Sequence, residues 1–219
     1  MIVVVGNPVA RAAELGGGVD GTAGRAAIAA ARAGATVQLV GKAGDDPMGD
    51  ALLVALAAAG VGHVALLRDP ARPTPVVTGP APDLTDGALS SDDSDPEPTL
   101  LPADPGARPG LDAADVELAL RYLSDYRAIV IAEPQSDAVV AIAAEAAAYS
   151  GAALIVVVAA GTGSAAATAA LVVEAPDADP DGAFASMLGE FAAAIDDGAS
   201  APDAFRALSG RIGLAPAAD

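Results

Sequence analysis

The side chains able to do chemistry in this sequence are few, and almost all of them are carboxylates and arginines. The 219 residues contain no cysteine and a single histidine, His63, which excludes disulfides, thiolate metal sites, a cysteine nucleophile and a histidine metal cluster. Two short segments stand out: the acidic run at residues 177–181 and the glycine-containing run at 161–164. The second resembles a phosphate loop, but a lone Gly-x-Gly is a weak motif, and we interpret it as a strand-to-helix turn.

Charge and composition narrow the range of partners. The chain carries 11 basic and 29 acidic residues, for a net charge of −18, and this charge repels phosphate backbones and anionic lipid surfaces. We therefore expect neither nucleic acid nor a membrane as a partner. No apolar stretch reaches the roughly 20 residues of a membrane span, and the apolar run at residues 2–5 is too short for a signal peptide. We expect a cytoplasmic protein.

Hydrophobic patterning predicts alternating strands and helices. An apolar, β-branched run at residues 2–5 ends at Gly6 and is typical of a buried strand. An alanine-rich run at 24–33 ends at Gly34, as many helices do, and Asp46 followed by Pro47 predicts a capped start for a helix over 48–59. The same reasoning predicts further strands at 36–40, 63–67, 128–132, 153–158 and 170–173, and further helices at 112–124, 136–149, 182–195 and 202–208. Such alternation predicts an α/β fold with a mostly parallel sheet.

One segment breaks this pattern. Proline and aspartate dominate residues 80–110, and such a composition buries too little apolar surface to offset the entropy of ordering. We predict one domain over residues 1–219 that carries a disordered acidic insertion at about 80–110. An acidic arm that binds a partner is the alternative.

Three motifs resemble the ribokinase-like (PfkB) carbohydrate kinases. They are Gly6-Asn7-Pro8-Val9, the run from Gly21 to Gly34, and the run at 40–50 that contains Gly44-Asp45-Asp46. The resemblance covers about two thirds of the chain and implies the ribokinase-like fold, a mostly parallel sheet with helices on both faces. It also implies an ATP- and Mg²⁺-dependent kinase that phosphorylates a sugar or nucleoside hydroxyl.

The segment that matches the family's phosphate-binding loop is altered. The family carries Gly-Ala-Gly-Asp there: main-chain amides at a helix start hold the phosphate, and the aspartate takes the proton from the substrate hydroxyl. Aligned on Phe184, this chain has Asp179, Pro180 and Asp181 in the loop and Gly182 at the catalytic position. The proline removes an amide donor and the carboxylates repel phosphate. If the alignment shifts by one residue, Asp181 is the candidate catalytic base; otherwise we interpret it as a helix cap.

The substrate end of the family's site is altered as well. The resemblance implies substrate contacts at five positions: Asn7, Arg11, Gly21, Thr22 and Arg25. Arg11 and Arg25 stand where relatives carry Asp and Asn, and we hypothesise that the two converge and bind an anion through bidentate contacts. The alternative is that they form surface ion pairs with Glu14 or Asp20.

Two parts of the family's fold are expected to be reduced. Few residues separate the first strand from Gly21, so the small β lid over the sugar is expected to be reduced or absent. Residues 159–168 replace the region that supplies an Asn/Glu pair for metal and phosphate in relatives, so the nucleotide-binding part is expected to be reduced too.

We therefore predict a sugar-kinase-like protein with little or no phosphotransferase activity, which binds a small ligand, of anionic character, or a partner. Two alternatives remain open. One is an active carbohydrate or nucleoside kinase, and ATP and Mg²⁺ are expected as cofactors in that case alone. The other is a structural subunit that forms a homo-oligomer.

Overall fold

A computed structural model describes residues 1–79, 98–161 and 170–211, with side chains up to residue 208. Its strands are β1 (Ile2–Val5), β2 (Val9–Arg11), β3 (Val19–Asp20), β4 (Val37–Gly44), β5 (Val61–Gly62), β6 (Leu66–Asp69), β7 (Val76–Thr78), β8 (Thr99–Leu101), β9 (Ala128–Ile131), β10 (Ala153–Val158) and β11 (Leu171–Glu174). Its helices are α1 (Gly21–Arg32), α2 (Pro47–Ala58), α3 (Ala113–Tyr122), α4 (Asp137–Ser150), α5 (Ala183–Asp196) and α6 (Ala201–Arg211).

The central sheet is parallel throughout the described strands. Its order is β11-β10-β9-β1-β4-β5, and β6 pairs with the carboxyl-terminal half of β4. β1 lies between β4 and β9, so Val5 has Val40 on one side and Ile131 on the other. Along the chain, β4 and β5 are added on one side of β1, and β9, β10 and β11 are added later on its other side. Ligands of open α/β sheets bind at the carboxyl ends of the strands beside such a reversal.

Alternating side chains of β1 supply both halves of the core. Ile2 and Val4 pack against apolar residues of α1, α2 and α5, whereas Val3 and Val5 pack against those of α3 and α4. All four are at most 1% exposed. Burial on both faces is what helix layers on a parallel sheet produce, and it confirms the predicted α/β architecture.

A second, smaller sheet follows β1. Its order is β3-β2-β7-β8, with β2 antiparallel to β3 and parallel to β7. Because β2 and β3 lie between β1 and Gly21, this sheet occupies the place where the sequence predicts a reduced or missing lid. A lid-like sheet is therefore present, built from strands of two or three residues.

Two sequence predictions need correction, and one cannot be assessed. The strand expected at 63–67 is replaced by β5 and β6, with a turn between them. Disorder was the expectation for 80–110, but residues 98–110 contain β8 and a 3-10 turn at Pro105–Ala107, and Arg108 Nε donates a 2.7 Å hydrogen bond to the Pro102 carbonyl. Residues 80–97 lie outside the described residues, as do all but Gly161 of the run at 161–164.

Helices α1 and α5 approach each other closely because the contact is made by small residues. Gly189 of α5 is buried against Ala26, Ala29 and Ala30 of α1. A Cβ atom on Gly189 would meet the Ala26 carbonyl oxygen and would lie 2.8 Å from the Ala29 Cβ. This contact fixes the start of α5 relative to α1.

Gly189→Ala is expected to lower the free energy of unfolding by about 1–3 kcal/mol, because the added methyl group forces two packed backbones apart. In an unconstrained helix interior the same change would raise stability by roughly 0.5–1 kcal/mol. Ser186→Ala, exposed one turn earlier on α5, is the control and should change stability by less than about 0.5 kcal/mol. Urea unfolding measures both; equal or greater stability of Gly189→Ala would contradict the close approach.

Candidate functional site

The candidate residues lie on loops and helix starts near the carboxyl edge of the central sheet. Asn7 follows β1, Glu133 follows β9, and the loop at 175–182 connects β11 to α5. The second sheet delivers the chain to Gly21, where α1 begins. Side chains that are far apart in the sequence therefore meet here.

Asp20 binds two of the predicted site residues at once. Its Oδ2 atom accepts a hydrogen bond from Arg11 Nε at 3.0 Å and lies 2.9 Å from Arg11 Nη2. Its Oδ1 atom lies 2.8 Å from Arg25 Nη2 and accepts a hydrogen bond from the Gly21 amide at 2.8 Å. Arg11 and Arg25 thus converge, as hypothesised, but on a carboxylate of the chain itself, which is the ion-pair alternative.

The environment of Asp20 favours its charged form. Burial by itself would raise the pKa of the carboxyl, but the hydrogen bonds from the Gly21 amide, Arg25 and Arg11 outweigh burial and hold the pKa below its ordinary value of 3.8. The carboxyl is therefore ionised at neutral pH. Two guanidinium groups share one negative charge, and the cluster keeps one positive charge in excess.

Arg25 also reaches the loop before α5. Its Nη1 atom donates hydrogen bonds to the carbonyl oxygens of Asp179 at 3.3 Å and Pro180 at 3.1 Å. Gly182, the residue that precedes α5, has φ of 70°, and a Cβ atom on it would lie 2.8 Å from Arg25 Cδ. Arg25 therefore fills the space into which a side chain at position 182 would project.

The amides at the start of α5 are bound by a carboxylate of the chain. Asp179 Oδ1 accepts a hydrogen bond from the Phe184 amide, and Asp179 Oδ2 accepts one from the Ala185 amide, both at 3.0 Å. The first amides of a helix have no partner within the helix and bind anions readily. Asp179 acts as that anion here.

Asp181 does not cap α5. Asp181 is exposed. Gly182 occupies the cap position, and the side chain that accepts hydrogen bonds from the first amides of α5 is that of Asp179. The interpretation of Asp181 as a helix cap is therefore wrong. Asp181 instead lines a groove with Arg11 and Arg25.

Asn7 belongs to a separate hydrogen-bond network. Its Nδ2 atom donates to the Pro109 carbonyl at 3.0 Å, and its Oδ1 atom accepts from the Lys42 amide at 2.8 Å. Its main-chain amide donates to Glu133 Oε1 at 2.8 Å. The side chain therefore joins the turn after β1 to β4 and to the loop before α3.

Glu133 is the titratable group in this network. Burial raises the pKa of its carboxyl above the ordinary value of 4.5, although hydrogen bonds from the Asn7 amide and from Gln135 favour the charged form. Its Oε1 atom lies 3.3 Å from where a Cβ on Gly6 would be.

The other two predicted site residues lie in the first turn of α1. Gly21 has φ of 74°, and a Cβ on it would lie 2.8 Å from Val9 Cγ2, so glycine is needed where the second sheet meets the helix. Thr22 is partly exposed. Both lie within two residues of Asp20 in the chain.

Among the described residues, no group of three or more His, Asp or Glu side chains lies close enough together to hold a metal ion. No helix in this part of the chain is both long and apolar enough to cross a membrane.

Comparison with known proteins reveals similarity at the level of structure. No protein-family model and no curated protein matches the sequence significantly. A putative ribokinase II from E. coli, solved in the apo form and with ATP and Mg²⁺, superposes with TM-scores of 0.65 and 0.64 at 14% and 15% identity, over 94% of this chain and 90% and 89% of that one. A PfkB protein from Polaromonas sp. JS666 superposes with a TM-score of 0.62 at 17% identity, over 97% and 94% of the two chains.

The chain has the ribokinase-like fold. This confirms the fold that the three sequence motifs implied. The chain spans about half of another similar structure, an uncharacterised sugar kinase from Pyrococcus horikoshii: it covers 52% of that protein, with 72% of this chain aligned, 16% identity and a TM-score of 0.48. At such identities the likeness establishes the fold alone.

Within the ribokinase-like fold, sequence reasoning missed Glu133 and gave an incomplete role to Asp20 and Asp179. Asp20 was considered only as an ion-pair partner, although it precedes a helix start as capping residues do. Asp179 was expected to repel phosphate and not to bind the helix. Glu133 follows a buried strand in the run Ala132-Glu133-Pro134, and an acidic residue directly after a buried parallel strand is a signal that could have found it.

Glu133→Gln is expected to raise the free energy of unfolding at pH 8 by about 1–2 kcal/mol and to leave it nearly unchanged at pH 4. A carboxyl whose pKa is raised by folding stabilises the protein below its ordinary pKa of 4.5, and this contribution is lost as the pH rises through the folded value. Glutamine keeps the acceptor for the Asn7 amide. Urea unfolding across this pH range measures the difference, with Glu145→Gln on the exposed side of α4 as control. A difference that does not depend on pH would contradict this assignment.

Asp20→Asn is expected to lower the free energy of unfolding at pH 7 by about 2–4 kcal/mol, because it leaves two partly buried guanidinium groups without their carboxylate. A carboxyl whose pKa is lowered by folding stabilises the protein above its ordinary pKa of 3.8, and this contribution is lost as the pH falls through the folded value. The deficit of the variant should therefore shrink below about pH 4. Asp181→Asn, at an exposed position, is the matched control. Equal stability of both variants at pH 7 would show that the shared ion pair contributes nothing.

Proposed function

We propose that the chain is a sugar-kinase-like protein with little or no phosphotransferase activity, which binds a small ligand. One observation carries this proposal: the Asp179 carboxylate accepts hydrogen bonds from the Phe184 and Ala185 amides, at the helix start where the family resemblance places a phosphate. A phosphate would have to displace a carboxylate that is tethered a few residues away and so is present at high effective concentration.

The position of the family's catalytic base supports the same proposal. Gly182 has no side chain, and Arg25 fills the adjacent space. A general base contributes about 10²–10⁴-fold to the rate and one main-chain donor to an oxyanion about 10²–10³-fold. The two effects do not simply multiply, but losing either leaves a very slow kinase.

The alternative of an active kinase draws support from the solved neighbours, one of which was solved with ATP and Mg²⁺. In that case Asp181 would take the proton from a sugar or nucleoside hydroxyl. The chain's residues fit the cofactor poorly, because Asp179 occupies the α5 amides and no acidic cluster suited to a metal occurs among the described residues. We therefore assign no step of phosphoryl transfer to this chain.

Arg11 and Arg25 support an anionic ligand. They contribute two positive charges to a groove that also contains Asp181, and Asp20 neutralises one of them. Some N–H groups of Arg11 and Arg25 bind neither Asp20 nor the loop carbonyls. These donors suit a carboxylate or phosphate group. The charge of −18 argues against nucleic acid and anionic membranes as partners.

The alternative of a structural subunit draws support from exposed apolar side chains. Val64, Leu118 and Tyr122 are 79%, 50% and 81% exposed, and all three line one groove beside α3. A mass in solution well above the 21.0 kDa of one chain would favour a homo-oligomer.

A coupled assay with ATP, Mg²⁺ and a panel of sugars and nucleosides tests the proposal. ADP production is expected to equal the background without protein, both for the natural chain and for Asp181→Asn, because neither the phosphate-binding amides nor a base at position 182 is available. A known active sugar kinase in the same assay is the positive control. Turnover that is present in the natural chain and lost in Asp181→Asn would refute the proposal and establish the kinase alternative.

A further inference from the structure

A groove of about 410 Å³ runs along α1, between the start of α5 and the second sheet. Three guanidinium groups line it, those of Arg11, Arg25 and Arg32, together with the Asp181 carboxylate and the Ser186 side chain. The whole chain has only 11 basic residues against 29 acidic ones. Asp20 binds two of the three arginines and Asp181 lies beside them, so the groove keeps one positive charge in excess on a strongly acidic protein.

Arg32 lies at the other end of this groove, where it also lines a second groove that contains Glu190, Asp196 and Asp197. It is exposed, and no hydrogen bond or ion pair joins it to the rest of the chain within the described residues. Its place in the last turn of α1 suits a cation because of the helix dipole, but that interaction occupies none of its N–H donors. Among the residues that the structure describes, none binds these donors, and they can serve a ligand.

The spacing of Arg25 and Arg32 defines two anion positions on one helix face. The residues are seven apart in α1, which is two turns or about 10 Å along the axis. Ile28 and Ala29 lie between them and line the floor of the groove. Arg11 lies beside Arg25 because both bind Asp20, so one end of the groove has two guanidinium groups and the other has one.

We infer that this groove binds a small organic dianion, with one carboxylate or phosphate group at Arg11 and Arg25, the other at Arg32, and the body of the molecule over Ile28 and Ala29. Guanidinium groups match carboxylate and phosphate oxygens in a bidentate manner. The inference rests on the small-ligand part of the proposed function and adds the chemical class and the position of the ligand.

Size and charge exclude larger occupants. A groove of about 410 Å³ lies within the size range of small-molecule sites. A polyanion such as nucleic acid would extend beyond the three arginines onto a surface whose net charge is strongly negative. Asp181 also opposes a second negative charge at the Arg25 end, so its removal should strengthen binding.

Calorimetry with linear dicarboxylates of increasing length tests the inference. The probes are succinate, glutarate, adipate and suberate, with acetate and inorganic phosphate as single-group anions, in a buffer of low ionic strength because surface charge is screened by salt. Saturable binding with an optimum among the longer dicarboxylates is expected. Arg32→Ala should weaken dicarboxylate binding by roughly tenfold and leave acetate binding unchanged, since one charged contact of two is lost.

Two further variants complete the test. Asp181→Asn should strengthen dicarboxylate binding by about a few-fold, because it removes one negative charge that repels the ligand. Arg121→Ala on α3 is the control and should leave dicarboxylate binding unchanged. The Arg121 side chain is exposed and lies 3.8 Å from Glu117. The inference is overturned if no dicarboxylate binds, or if binding is the same in Arg32→Ala and Arg121→Ala. Neither result affects the kinase assay, so the inference and the absence of phosphotransfer can fail separately.

Discussion

The arrangement of the site depends on one buried carboxylate that serves two guanidinium groups. Asp20 ends β3 and binds Arg11 at the end of β2 and Arg25 in the first turns of α1. Arg25 in turn holds the carbonyl oxygens of the loop before α5. A buried charge without a partner costs several kcal/mol, so none of these groups can leave alone. The small sheet, the start of α1 and the loop before α5 are therefore fixed relative to one another by a single anion.

The parts of the fold that could be predicted from the sequence are those fixed by local or periodic signals. β1, β9 and β10 are apolar, β-branched runs that the sheet buries on both faces, and α2 begins at Asp46-Pro47, where the Asp46 side chain caps the Gly49 amide. The strands of the second sheet are only two or three residues long, too short for a period-two pattern to appear. Residues 98–110 are held by Arg108 and Arg72 through carbonyl oxygens, and composition carries no information about such hydrogen bonds.

The sequence predicts which residues form the candidate site, but not which contacts they make. The altered positions 11, 25 and 179–182 were recognisable from the family motifs alone. The contact between Arg25 and a loop 154 residues further along the chain could not be recognised in this way, because no local pattern specifies a contact across that separation. The prediction for Asp179 was also incomplete. Carboxylates near a helix start repel a bound phosphate, but they are attracted to the unpaired amides of the helix itself.

Asp179 in the loop before α5 and Arg25 in α1 act together. A helix start left open needs an anion or water for its first amides. Asp179 meets this need permanently, and Arg25 binds the carbonyl oxygens of residues 179 and 180, which holds the loop in the conformation that presents the Asp179 carboxylate. Two changes at this helix start would therefore affect each other: an aspartate at position 182 would meet Arg25, and removal of Arg25 would leave Asp20 short of a partner.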